Sequence, residues 1–238
     1  MTSRADLAVA QRALHARTGR LSDELLPREH ACFADIDALW TARQPAVVRL
    51  ASQVAARHSD PDVLTAALAA DLQAPLVTLT VTLAAQSLGP VRGLLEEAAQ
   101  MAVDASGDTL GIVARVDQAP AGLAGLAAAQ IAELAYGTVD SSAGLYTQAA
   151  ARAAGITQAR LGEQIGLGRM YGDTAGKRIA RLASPADVGR PGCSAAGMFW
   201  RTPSMLHSAA RAATIGLVNT LRVAAMAQYN DLERRALS

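Results

Sequence analysis

Aromatic residues are scarce in this chain of 238: two Phe, two Trp and four Tyr, 3% of the sequence. So few rings exclude the aromatic-rich core of a large β-sandwich or barrel. Cysteine is scarcer still. Cys32 and Cys193 stand far apart with no CxxC spacing, which fits a reducing compartment. Lysine is nearly absent, with Lys177 alone against 21 arginines, a ratio that reports base composition of the genome and gives arginine count no functional weight. There is no long hydrophobic run either. The longest uncharged stretch, Leu72 to Val91, holds Pro75, Pro90, two Gln, one Ser and three Thr, too polar and interrupted for a membrane span. Arg4, Asp6 and Arg12 precede any apolar run, so the first residues do not read as a signal peptide. These absences predict a cytoplasmic protein with no membrane partner.

What is present is alanine, 54 residues of it, in a chain that is 51% hydrophobic. Alanine loses no side-chain entropy in a helix and lets helix axes approach closely. The expectation is an all-α protein of one or two domains, with an N-terminal helical segment at 1–59 and a helical bundle domain at 60–238.

The punctuation of the sequence divides it further. Ser3 and Asp6 start a first helix that Gly19 is expected to stop. A second stretch, about Ala31 to Arg57, is split by Pro45. Asp60, Pro61 and Asp62 open a third helix, expected to end before Pro75. Val77-Thr-Leu-Thr-Val-Thr-Leu83 alternates like a strand, but it has no convincing partner, since Gly111 weakens the only other β-like run, Thr109 to Val116. A helix over 77–104 is therefore predicted. Pro120 opens an Ala-rich helix that could end at Gly137. Residues 184–203 read as a loop, after which Thr202 and Pro203 supply cap and first turn of a long helix to about Arg235. Leu206, Ala210, Ala213, Leu217, Leu221 and Ala224 form its apolar stripe.

Charge is unevenly spread. Residues 1–150 carry a net −6 and residues 151–238 a net +7, which sum to the net +1 of the whole. A basic block of this kind suits a polyanion, a small anionic substrate, a solvated face, or an internal match for the acidic half.

Three stretches resemble the fumarase/aspartase superfamily, most closely its carboxymuconate cycloisomerase and adenylosuccinate lyase branches. Ile179-Ala-Arg-Leu-Ala-Ser-Pro-Ala-Asp-Val-Gly-Arg-Pro-Gly-Cys-Ser-Ala195 is similar to the helix end and signature loop of that family, and Gly216-Leu-Val-Asn-Thr-Leu-Arg-Val-Ala-Ala-Met226 to the helix that follows. Gly107-Asp-Thr-Leu-Gly-Ile-Val-Ala-Arg-Val-Asp-Gln-Ala-Pro120 resembles its middle motif, and Asp71-Leu-Gln73 sits where the family carries a Thr-Ser-Gln phrase. The resemblance implies a long-helix bundle of the fumarase/aspartase type, assembled as a homotetramer, here lacking the C-terminal domain. It implies lyase or cycloisomerase chemistry on a small carboxylate-bearing substrate: abstraction of a proton next to a carboxylate, without a metal or cofactor.

Carried over position by position, Ser194 matches a loop serine and becomes the candidate base, with Cys193 at the other serine. Asp117 stands where the family has a histidine and is the second candidate catalytic residue. Gln73, Thr109, Arg115, Gln118 and Arg201 become candidate substrate-binding residues. Phe199 or Trp200 occupies the place of the family's loop lysine, and Arg201 offers the replacement cation in planar bidentate form. A base and donors placed where negative charge develops are what such a carbon acid requires.

Two other patterns compete. Thr157-Gln-Ala-Arg-Leu161-Gly-Glu-Gln-Ile165-Gly-Leu167 resembles the first half of a helix-turn-helix with its turn at Gly166, and Lys177, Arg178 and Arg181 beyond it would face DNA. A catalytically inactive helical oligomer, which keeps the bundle and loses the chemistry, is the other. Glu29, His30, Cys32, Asp35 and Asp37 are metal-ligand types without a second half.

Overall fold

A computed structural model describes residues 4–57, 66–120, 122–172, 174 and 195–237, and those residues form an all-α protein with no strand among them. Six helices follow in order: α1 Arg4–Thr41, α2 Gln44–Arg57, α3 Ala66–Gln86, α4 Leu88–Asp117, α5 Leu123–Met170 and α6 Ala195–Leu237. The alanine excess serves the purpose expected of it. On α4, Leu94, Leu95, Ala98, Ala99, Ala102 and Ala105 are all buried, a three-and-four spacing that turns one face inward. The stripe on α6 holds to Leu221: Leu206, Ala210, Ala213, Leu217 and Leu221 are buried, its last predicted member Ala224 is half-buried, and Tyr229 follows past the half-buried Gln228.

The helices are longer than the sequence punctuation predicts. α1 runs through Gly19 and through Pro27. A helical glycine costs about 1 kcal/mol, less than what flanking turns and burial return. Pro27 and Pro75 cannot donate to the carbonyls of Asp23 and Asp71, and all four residues are exposed, where the loss of one helical bond costs least. Hence α3 does not end before Pro75. α5 passes Gly137, and it passes Gly166 without turning, which removes the turn of the helix-turn-helix pattern. Residues 195–203 of the expected loop are helical, so Thr202 and Pro203 lie inside α6 rather than at its start; residues 184–194 lie outside the described residues.

Prolines do interrupt where the carbonyl they face belongs to a short junction. Pro45 sits in the first turn of α2 and denies Thr41 its bond, ending α1 there; Pro90 does the same to Gln86, and the chain breaks at Ser87. The threonines of 77–83 are helical because the helix absorbs their hydroxyls: Thr78, Thr80 and Thr82 donate to the carbonyls of Ala74, Leu76 and Thr78 at 3.1, 2.8 and 2.8 Å. The stretch 73–117 is long and apolar enough to cross a membrane by length and composition, unlike the reading of Leu72 to Val91 as too polar for a span, and a third of its apolar window is buried.

The chain divides into two compact units. The first comprises residues 1–32, 90–145 and 210–238, hence parts of α1, α4, α5 and α6. Its core is mostly aliphatic, with Leu21, Leu95, Leu110, Ile131, Leu217 and Leu221 buried among alanines and Tyr229 the buried aromatic. The second comprises residues 33–89 and 146–209. Trp40, Ile36, Leu83, Tyr146 and Leu206 form its buried large side chains. There Ser87 Oγ donates to the Ala84 carbonyl or to the Tyr146 hydroxyl, both at 2.6 Å, tying the end of α3 to α5.

Candidate functional site

In the first unit, α4 and α6 face each other across a cavity of about 480 Å3. Ser106, Thr109 and Leu110 reach it from α4, and Asn219, Arg222, Val223 and Met226 from α6. Both sets follow the spacing of three and four residues that gathers side chains on one helix face. The size falls in the range of small-molecule sites. Two of the stretches that carry the sequence resemblance, 107–120 and 216–226, thus meet at one cavity. Thr109 is the predicted binding residue that lies there. Asn219 and Arg222 were not among the predicted residues, although Arg222 is the one charged side chain of the stretch 216–226.

Thr109 lines the cavity with its hydroxyl committed to its own helix, donating to the Ala105 carbonyl at 2.8 Å. Ser106, one turn earlier and 3% exposed, differs: its Oγ has no hydrogen-bond partner within the chain. A buried hydroxyl without a partner is costly, so it marks a place where a ligand's acceptor is rewarded.

The other predicted residues of α4 collect at its C-terminus. Arg115 is exposed and donates through Nε to the Gly111 carbonyl at 2.9 Å. Asp117 is exposed and accepts a bond of 3.4 Å from the buried Tyr229 hydroxyl. Burial, then the charges of Asp117 and Glu233, push the Tyr229 phenol up to about 12. Gln118 has φ 54, and the Ala119 N–H reaches back to the Ala114 carbonyl at 3.0 Å. This is a Schellman closure in which Gln118 holds the left-handed position usually given to glycine. Its conformation is explained by ending α4.

Gln73 is half-buried on α3, in the second unit, and Arg201 belongs to the α6 residues of that unit. Ser194 lies outside the described residues. Among the described residues no group of three His, Cys, Asp or Glu side chains is placed to hold a metal. Glu29 instead receives Arg211: Nε and Nη2 both approach its Oε2 at 2.9 Å. Cys32 is buried and forms no disulfide among the described residues. His207 stacks on Phe33 with ring centroids 4.5 Å apart and sets Nε2 3.1 Å from Asp37.

No family model, no curated protein and no solved structure matches this chain.

Proposed function

We propose that this chain is a lyase- or cycloisomerase-like enzyme of the fumarase/aspartase kind, acting on a small carboxylate-bearing substrate by proton abstraction next to the carboxylate. The observation that supports it is the meeting of residues 107–120 and 216–226 at the cavity lined by Thr109, Asn219 and Arg222. Arg222, exposed on α6, supplies a guanidinium for a carboxylate and Asn219 a further donor. Ser194 is the proposed base. The same reading entails a homo-oligomer, a tetramer, in the cytoplasm.

A second reading, the inactive helical oligomer, is favoured by a specific feature. Thr109 Oγ1 and Arg115 Nε both bond carbonyls of their own helix rather than pointing donors at a ligand. The experiment that separates the two is turnover of a panel of unsaturated and hydroxylated dicarboxylates by wild type and Ser194→Ala. Turnover lost in the variant supports the enzyme; binding without turnover supports the inactive oligomer; turnover unchanged by Ser194→Ala removes the base assignment.

A further inference from the structure

In the second unit, α3 turns one face inward and leaves the other bare. Leu76, Thr80, Leu83 and Ala84 are buried, while Ala74, Thr78, Val81 and Ala85 stand exposed at the alternating spacing of four and three residues that forms a helix seam. An exposed helix face is ordinarily charged or strongly polar. This one carries no charge, because α3 from Leu72 onward lies within the uncharged stretch Leu72 to Val91. Its hydroxyls are satisfied within the helix, since Thr78 and Thr82 donate to the carbonyls of Ala74 and Thr78 at 3.1 and 2.8 Å. Beside the seam, a groove of about 280 Å3 runs between α3 and α5, with Ala151 and Gly155 on the α5 side. Among the described residues, no charged side chain lines it. A Cβ at Gly155 would meet no atom within 4 Å, so the groove is open there.

We infer that this face of α3 and its groove dock a second copy of the same chain, α3 against α3 about a two-fold axis. A groove without charge favours a helix that is itself charge-free over the same length, because a charge enclosed there would lose its water. α3 meets that condition, so the face is self-complementary, as a two-fold contact requires. Ala85 and Gly155 let helices approach closely, and Val81 of each copy is the ridge that enters the other's groove. The face extends about 20 Å along α3 and about 20 Å across two helices, roughly 400 Å2 per copy against the ~800 Å2 of a standard interface. The dimer is therefore weak, with a dissociation constant on the order of 10 µM. A bilayer suits the face less well. Arg152, exposed next to Ala151, keeps its water at the rim of a dimer and would lose it in hydrocarbon. The inference deepens the homo-oligomer of the proposed function, and rests on that part of it rather than on the chemistry.

Sedimentation equilibrium of the full chain from about 1 to about 200 µM tests this, a range that brackets the expected constant. The expected result is reversible self-association beginning with a dimer. Val81→Glu sets two carboxylates against each other at the two-fold contact and weakens association at least about tenfold, with an unchanged circular dichroism spectrum. Gly155→Leu replaces a helical glycine, so the variant melts no lower than wild type, yet it fills the groove and weakens association by about the same factor. A chain that stays monomeric throughout, association undiminished by Val81→Glu or Gly155→Leu in their folded forms, or flotation with phosphatidylcholine vesicles without self-association overturns the inference. Turnover of dicarboxylates by a strict monomer would sink this inference alone. Dimerisation without turnover of any substrate would sink the lyase reading alone.

Discussion

The hydroxyls of Thr157 on α5 and Thr202 on α6 lie 2.7 Å apart, both fully buried, and Thr157 also donates to the Ala153 carbonyl at 3.0 Å. A neutral pair of this kind is worth about 1 kcal/mol net. Thr157→Val and Thr202→Val are each expected to lower unfolding free energy by about 1 kcal/mol. The double variant should lose less than the two together by at least about 0.5 kcal/mol, as read from denaturant midpoints. Strict additivity would show that the pair is not coupled.

Gln118 ends α4 in a conformation that L-residues adopt at a cost of about 1 kcal/mol and glycine adopts freely. Gln118→Gly should therefore raise stability by about 0.5 to 1 kcal/mol, measured by thermal melting. A loss of stability would mean that the glutamine side chain contributes more than the turn costs.

Tyr229 makes the fold sensitive to alkali. Its phenol ionises near 10 in the unfolded chain and at about 12 in the folded one, so between those values the unfolded state has released a proton that the native state keeps. Stability is fully present below pH 10 and falls as pH rises towards 12, by about 2 kcal/mol. Tyr229→Phe should flatten that part of the stability curve. The curve is obtained from urea titrations at stepped pH.

Arg211 neutralises Glu29, whose side chain is 9% exposed. Arg211→Met strands that carboxylate and is expected to cost about 2 to 3 kcal/mol, while Arg211→Met with Glu29→Gln recovers most of the loss. Chemical denaturation of the three proteins checks this. Equal stability of the two variants would show that the charge is solvated by other means.

The helical class was legible because it rests on composition: 54 alanines and eight aromatic rings leave few other ways to build a core. The α6 stripe from Leu206 to Leu221 was legible because a period of three and four residues is a local property. Helix ends were less so. Gly19, Pro75 and Gly137 are breakers by propensity, yet each lies inside a helix whose length and burial outweigh a cost of about 1 to 3 kcal/mol. Thr202 and Pro203 look like a helix start in sequence, and the partner that explains Thr202, Thr157, is 45 residues away. The site was legible as motifs and not as a cavity. Thr109 was found within one motif, but Asn219 and Arg222 gain significance only when α6 is laid beside α4.

Carboxylate binding at Arg222 is the point on which the account turns. Saturable binding of mono- and dicarboxylates, measured by calorimetry on wild type and Arg222→Gln, tests it most directly. The account predicts at least one carboxylate bound one-to-one by the wild type and at least tenfold more weakly by the folded variant, a difference of about 1.4 kcal/mol. Equal binding by both proteins, or no binding of any carboxylate by the wild type, would contradict it.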